Sequence, residues 1–176
     1  AMERVGWLSL FLVSLSLTAL IMNGFESILS HQIELAYFVP LLAGHGGNTG
    51  GQTVGTVLSG LSNGSIALSK APTVIAREAT SGFLVGCILA CIVSTMAHYV
   101  MGISTHVSVV VLCTMPLVST IAATIGSSLP FACIAVGLDP SVIAAPAMTS
   151  LVDVSGLMSY FLIANRIFQI YGMQLK

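Results

Sequence analysis

The chain has 176 residues, with only five basic and six acidic side chains and a mean hydropathy of +1.01. A soluble domain carries about 25% charged residues, whereas this chain carries 6%, which excludes an ordinary soluble protein. The net charge of −1 and the lack of a basic run exclude electrostatic binding to nucleic acid. We therefore expect an integral membrane protein in a lipid bilayer.

Apolar runs separated by Gly, Pro, Asn and charged clusters predict five membrane-spanning helices, without the alternation of a β-barrel. A loop separates the second and third spans and contains Lys70, Pro72, Arg77 and Glu78. Between the fourth and fifth, Gly137 can end one helix, Asp139 can cap the next and Pro140 suits its first turn. The whole chain is then one transmembrane domain, with predicted spans at about residues 5–22, 33–62, 79–100, 107–136 and 141–171.

The basic residues indicate how the helices are oriented. Arg4, Lys70 and Arg77 fall on one side of the predicted membrane, and Arg166 and Lys176 fall at the other end. The positive-inside rule then favours a cytoplasmic N-terminus and a cytoplasmic loop between spans two and three. With five crossings the two termini lie on opposite sides of the membrane, which we expect to be the plasma membrane.

The second span contains the sequence GHGGNTGGQTVG, the most polar stretch within any of the apolar runs. Its glycines recur every four residues from Gly47 to Gly55, and Gly82, Gly86 and Ala90 repeat the pattern in the third span. Small residues at this spacing let two helix backbones approach closely. The pattern therefore predicts close helix packing along both spans.

Close packing does not explain the polar side chains of the same stretch. Asn48, Thr49, Gln52 and Thr53 need partners or water if they lie within lipid. Glycine also exposes backbone carbonyls that can face an ion, and a loosened helix is tolerated where it lines a cavity. The stretch therefore predicts an ion path as well as helix packing.

Asp153 lies about a dozen residues into the fifth span, roughly 20 Å from its start and near the membrane centre. Burying a carboxylate there costs at least ~2.5–3.5 kcal/mol, and no Lys or Arg lies near the middle of another span. We interpret Asp153 as an ion ligand; an ion pair with another helix and a protonated, packed Asp are the alternatives. Small or polar residues surround it at helical spacing: Pro146, Thr149, Ser150, Gly156 and Tyr160.

The other acidic and metal-binding residue types give weaker signals. Glu26 and Glu34 flank the turn between the first two spans, where they either concentrate cations at a mouth or are solvated loop charges. His45 has no second His four residues on, so zinc binding is not indicated. The four cysteines lie in apolar segments, and the sequence has no CxxC motif. We therefore expect them to act as small buried hydrophobic residues rather than as metal ligands or disulfides.

Three segments resemble the membrane domain of the MgtE family of magnesium channels or transporters. They are FVPLLAGHGGNTGGQ in span two, SSLPF in span four and GLDPS with APAMTSLVDVSGL in span five. The resemblance implies a homodimer whose ion path follows the two-fold axis, lined by spans two and five of each subunit. It implies magnesium as both the transported ion and the ligand. Family members often carry a large soluble regulatory portion before the first span, which this chain does not contain.

The resemblance also implies roles for individual residues. Asp153 matches the central acidic residue that holds a hydrated magnesium ion together with its symmetry mate, and Thr149 matches a position whose backbone carbonyl faces the ion. Gly44 and Asn48 match pore-facing positions of span two. A hard ion that keeps its waters and prefers oxygen ligands fits this arrangement. The other pore-lining candidates are Gly51, Gln52, Ala145, Ser150 and Gly156.

Two positions depart from the family pattern. Gly51 and Ala145 stand where the pattern has Asn, next to the Gln of span two and the Pro of span five. Both fall on the half of the path that we expect to be cytoplasmic. The departures argue against secondary ion sites there and against strict magnesium selectivity.

We predict a magnesium channel rather than an enzyme. A sodium- or proton-coupled divalent cation exchanger is the alternative, and conduction without a counter-ion would distinguish the two. An intramembrane protease is a weaker alternative. An aspartyl protease needs two membrane carboxylates, and the spans of each chain supply only one. A serine protease would need Ser127 or Ser128 paired with His98 or His106. A purely structural membrane scaffold would leave Asp153 unexplained.

Overall fold

The structure is a computed structural model of the chain and describes residues 2–172. Within this range every regular element is helical, which confirms the all-α fold class. Of the basic residues that were used above to orient the chain, Lys176 lies outside the described residues, and only the backbone of Arg4 is described. Between residues 2 and 172 the helices are α1 (Met2–Gly24), α2 (Glu26–His31), α3 (Glu34–Ser62), α4 (Ala71–Tyr99), α5 (Thr105–Ala135) and α6 (Pro140–Ile170).

Four of these helices are long and apolar enough to cross a membrane, namely α1, α4, α5 and α6. Helix α3 has 29 residues, which is enough length for a crossing, but its centre carries the polar, glycine-rich stretch. It is therefore absent from the spans that length and composition alone support. Five spans remain a prediction, and α2 is a short additional helix between α1 and α3 that the sequence did not indicate.

The start of α4 differs most from the prediction. The expected loop through Arg77 and Glu78 was wrong, because α4 begins at Ala71 and includes both residues. Pro72 lies in its first turn, where the missing N–H costs no helical hydrogen bond. The Arg77 side chain is 66% exposed and that of Glu78 only 17% exposed. Proline and charges were interpreted as a loop, but they also suit the first turns of a helix.

The predicted turn between α5 and α6 is confirmed. Gly137 has a φ of 76°, the left-handed conformation that glycine adopts easily at the end of a helix. Asp139 caps α6, because its Oδ1 accepts hydrogen bonds from the Ser141 N–H at 2.8 Å and from the Ser141 hydroxyl at 2.7 Å. These bonds favour the ionised carboxylate and lower the pKa of Asp139 below its ordinary value.

Helix α5 lies at the centre of the bundle and packs against α3, α4 and α6, while α1 packs on α6. The small residues of α4 allow its close approach to α5, as predicted. A Cβ added at Gly82 would lie 2.7 Å from the Ser119 carbonyl oxygen, and one at Gly86 would lie 2.7 Å from the Pro116 Cα. These two backbones are therefore in direct contact.

Candidate ion-binding site

Helices α3 and α6 run side by side in opposite directions and touch at two glycines. A Cβ added at Gly46 would lie 2.7 Å from Val152 Cγ1, and one at Gly50 would overlap the Met148 sulfur. Moving four residues forward along α3 thus corresponds to moving four residues back along α6. These contacts define the register of the two helices.

The register brings the main candidate residues to similar heights in the bundle. Asp153 directly follows Val152, so it lies near the level of Gly46. Thr149 directly follows Met148 and lies near the level of Gly50. Asn48 is the central residue of α3 and lies between the two levels. The structure therefore places the predicted ligands of both helices near the middle of the bundle.

Both helices expose polar or small residues near the middle of the bundle. We call this the open face; it comprises the exposed residues Gly44, Asn48 and Gln52 of α3 and Ala145 and Thr149 of α6. The Thr149 hydroxyl donates a hydrogen bond to the Ala145 carbonyl of the same helix at 3.1 Å. Five of the predicted pore-lining or ligand positions are therefore accessible at the surface of the chain.

The glycine ridge beginning at Gly47 does not pack within the chain. A Cβ at Gly47 or Gly55 would meet no atom within 4 Å, and one at Gly51 would be 4.0 Å from the Met148 methyl carbon. The neighbouring stripe of Gly46 and Gly50 makes the close contacts instead. The stretch is also an uninterrupted α-helix rather than a loosened one. The residues of the predicted ridge therefore border the open face.

Asp153 is half-buried and lines a cavity of about 160 Å³ between α1, α3 and α6. The walls are mostly apolar and include Leu15 and Thr18 of α1 and Leu42 and Ala43 of α3. Among the described residues the carboxylate has no hydrogen-bond or ion-pair partner, so the ion-pair alternative finds no support there. A carboxylate in such surroundings needs a positive partner or water.

Two pore-lining candidates lie inside the chain rather than on the open face. Ser150 is 2% exposed, and its hydroxyl points to α1, where it donates to the Phe11 carbonyl at 3.5 Å. A Cβ added at Gly156 would lie 3.6 Å from Val118, and Gly156 lines the Asp153 cavity. Successive helical residues are rotated by about 100°, so Ser150 cannot share the face of Thr149.

The two predicted mouth residues have different environments. Glu26 is exposed at the start of α2. Glu34 is half-buried, and its Oε2 accepts hydrogen bonds from the N–H of Ser104, at 3.0 Å, and from the Ser104 hydroxyl. Ser104 immediately precedes α5, so Glu34 ties the start of α3 to the start of α5. Only Glu26 is free to act as a solvated mouth charge.

His45 has a structural contact that the sequence did not reveal. Its Nε2 lies 2.6 Å from the Ser119 hydroxyl oxygen, which joins α3 to α5. Between residues 2 and 172 no group of three His, Cys, Asp or Glu side chains could hold a metal ion. A hydrated ion beside Asp153 does not need such a group and is compatible with the geometry.

Residues 39–163 match the family model of MgtE, which is described as a divalent cation transporter. The chain belongs to the MgtE family. It is similar to the magnesium transporter MgtE of Thermus thermophilus, with 30% identity over 172 residues that cover 93% of this chain and 36% of that protein. The corresponding proteins of Bacillus subtilis and Enterococcus faecalis are 28% and 27% identical over 94% of this chain and 36% of their length.

The chain therefore spans about a third of the length of these MgtE relatives. The matched MgtE segment begins within α3 and ends within α6, so it contains the open face and Asp153. It confirms the resemblance that the span-two and span-five sequences indicated. Membership of this family also supports the assignment to a membrane, together with the apolar helices.

Proposed function

We propose that this chain forms a path for divalent cations, chiefly Mg²⁺, across a membrane. The observation that carries the proposal is Asp153, a half-buried carboxylate near the middle of α6 without a partner among the described residues. It lies beside α3, whose exposed surface includes the polar residues Asn48 and Gln52. The relatives are named as magnesium transporters, and the family model describes divalent cation transport.

We further propose that two copies meet at the open face, so that α3 and α6 of each copy line the path. A second copy would cover the exposed polar centre of α3, which would explain how this helix crosses a membrane as the second of five spans. It would also place two Asp153 carboxylates around one divalent ion. A Cβ at Gly47 or Gly55 would meet no atom of the chain within 4 Å, which leaves room for a close approach of the two copies.

The chemistry of Mg²⁺ favours recognition of the hydrated ion. Mg²⁺ gives up water reluctantly and usually binds through one or two carboxylates and several waters. The Asp153 carboxylates would supply charge, while the Thr149 carbonyl and the Asn48 amide oxygen would accept hydrogen bonds from the bound waters. The magnesium ion is the cargo of this path rather than a resident cofactor.

We favour a channel that conducts Mg²⁺ down its electrochemical gradient. A sodium- or proton-coupled exchanger would need a second ion whose gradient drives transport. A protease is disfavoured because the described part of α6 offers one carboxylate in the cavity, and the Ser127 and Ser128 hydroxyls donate to carbonyls of their own helix. We also propose that the N-terminus is cytoplasmic and that the membrane is the plasma membrane.

The test is magnesium uptake by liposomes that contain the purified chain and a magnesium-sensitive dye. A channel should admit Mg²⁺ without a sodium or proton gradient, and faster when the inside is made negative. Uptake that needs an opposing sodium or proton gradient would overturn the channel and support the exchanger. No uptake above that of protein-free liposomes, with the chain correctly inserted, would contradict transport altogether.

A further inference from the structure

A second cavity, of about 150 Å³ and with more polar walls, lies between α3 and α4, with Ala123 of α5 in its wall. It is separate from the Asp153 cavity, and the two share no lining residue. It faces a different side of α3 from the α6 contact. Six polar residues line it: Thr49, Gln52, Thr53, Thr56, Glu78 and Ser81.

Glu78 supplies the charge of this cavity. Its side chain is only 17% exposed, two turns into α4, and its Oε1 accepts a hydrogen bond from Arg77 Nη2 at 3.1 Å. Arg77 itself is 66% exposed, so it approaches the carboxylate from the solvent side. Among the described residues no partner engages Oε2 of Glu78. A carboxylate in this position still has room for a second positive partner.

Two of the four hydroxyl groups that line the cavity present acceptors rather than donors. Thr53 donates its hydroxyl proton to the Thr49 carbonyl at 3.0 Å, and Thr56 donates to the Gln52 carbonyl at 2.9 Å. A hydroxyl has only one proton to donate, so each of these oxygens has lone pairs left for the cavity. A carboxylate surrounded by such oxygens suits a hard cation and repels an anion.

We propose that this cavity binds a small alkali cation of the size and charge of Na⁺. Glu78 carries one negative charge that Arg77 already offsets in part, so a divalent ion would remain poorly neutralised. The desolvation cost of an ion also rises steeply with its charge, and Mg²⁺ loses water reluctantly. A singly charged ion can instead exchange its waters for hydroxyl, amide and carboxylate oxygens. Binding of Na⁺ does not depend on the transport proposed above.

Equilibrium binding of ²²Na⁺ to the purified chain in detergent, without magnesium, tests this site. We expect saturable binding of one ion per chain, weakened about tenfold or more in Glu78→Gln because this change removes the one carboxylate that the described residues contribute to the cavity. Arg77→Gln should tighten binding, because the competing guanidinium is removed. A purely structural role of the Arg77–Glu78 pair predicts no such gain.

Two threonine variants provide a matched comparison. Thr56→Val removes a hydroxyl that lines the cavity and should weaken ²²Na⁺ binding. Thr80→Val removes an exposed hydroxyl on α4 that donates to the Ala76 carbonyl but does not line the cavity, so binding should be unchanged. Both variants keep the side-chain shape, and both are checked for a monodisperse profile before binding is measured.

Absence of saturable ²²Na⁺ binding by the wild-type chain would overturn the proposal. Wild-type affinity in Glu78→Gln, or displacement of ²²Na⁺ by Mg²⁺ at lower concentration than by unlabelled Na⁺, would also overturn it. If Glu78→Gln does not fold, the other two variants provide the test. Tighter binding in Arg77→Gln and weaker binding in Thr56→Val would support the site, and wild-type affinity in both would overturn it. Asp153→Asn should keep ²²Na⁺ binding while losing magnesium uptake, so failure of the site and failure of the transport proposal are distinguishable.

Discussion

At the scale of single residues, Glu34 shows how a charge near a span end can be structural. Its carboxylate accepts two hydrogen bonds from Ser104 at the start of α5, where a negative charge also interacts favourably with the helix dipole. The sequence predicted a mouth or loop charge because residues 34 and 104 are far apart in the chain. Their contact depends on how α3 and α5 pack, which no local pattern reports.

Glu34→Gln should lower the free energy of unfolding by about 1–2 kcal/mol, because hydrogen bonds to a charged acceptor are replaced by weaker ones. Chemical denaturation in detergent, followed by circular dichroism, measures the change. Glu26→Gln is the control, since Glu26 is exposed and should change stability by less than about 0.5 kcal/mol. Equal effects of the two variants would contradict the structural role of Glu34.

Asp153 could be singled out from the sequence because a lone carboxylate in an apolar run is physically costly. The cavity that it lines could not be predicted, since Leu15 and Thr18 come from the distant helix α1. Glu78 was interpreted as a loop charge because its local sequence contains Pro and Arg. Only the packing of α4 on α5 shows that it faces a polar cavity.

At the scale of helices, the apolar runs predicted α1, α5 and α6 to within a few residues, because Gly, Pro and Asp mark their ends. Glycine spacing was less decisive. A four-residue repeat fits several stripes of α3, and the stripe that packs contains Gly46 and Gly50 rather than Gly47. Which stripe is buried depends on the bulky partners Val152 and Met148, which the spacing of glycines alone does not identify.

Substitutions of two helical glycines should therefore have opposite effects on stability. Gly82→Ala places a Cβ 2.7 Å from a backbone oxygen of α5 and should destabilise the chain by about 1–3 kcal/mol, since the backbone cannot yield easily. Gly47→Ala meets no atom within 4 Å and should stabilise α3 by up to about 1 kcal/mol. Denaturation of the monomeric chain compares them, and equal destabilisation by both would contradict the packing described here.

At the scale of the whole molecule, the open face is the surface on which the transport proposal depends. The sequence indicated its residues, and the structure shows that each of them is exposed, namely Gly44, Asn48, Gln52, Ala145 and Thr149. Its partner could not be predicted from helical periodicity, because an exposed polar face is compatible with water or with a second chain. A homodimer remains a proposal, and cross-linking in membranes would detect it.

Gly51 and Ala145 provide a test of how the path selects its ion. Replacing both with Asn adds amide oxygens near the open face, so more groups can hold the waters of one hydrated Mg²⁺. Ca²⁺ accepts irregular ligand shells and benefits less. The double variant should therefore raise the ratio of magnesium to calcium flux in liposomes.

The Gly51 change also places a side chain near the surface on which we propose that two copies meet, so dimer formation must be checked in parallel. A double variant that still dimerises but keeps the wild-type flux ratio would show that these positions do not set selectivity.

The most direct test of the central claim is magnesium flux through Asp153→Asn in liposomes. This change keeps the size of the side chain and removes two charges from the proposed dimer, where a low dielectric strengthens their effect. We predict that flux falls by about tenfold or more, while the protein still inserts and dimerises. Asp139→Asn is the control, because Asn also caps helices and Asp139 lies in the exposed turn before α6. Wild-type magnesium flux in Asp153→Asn would contradict the account.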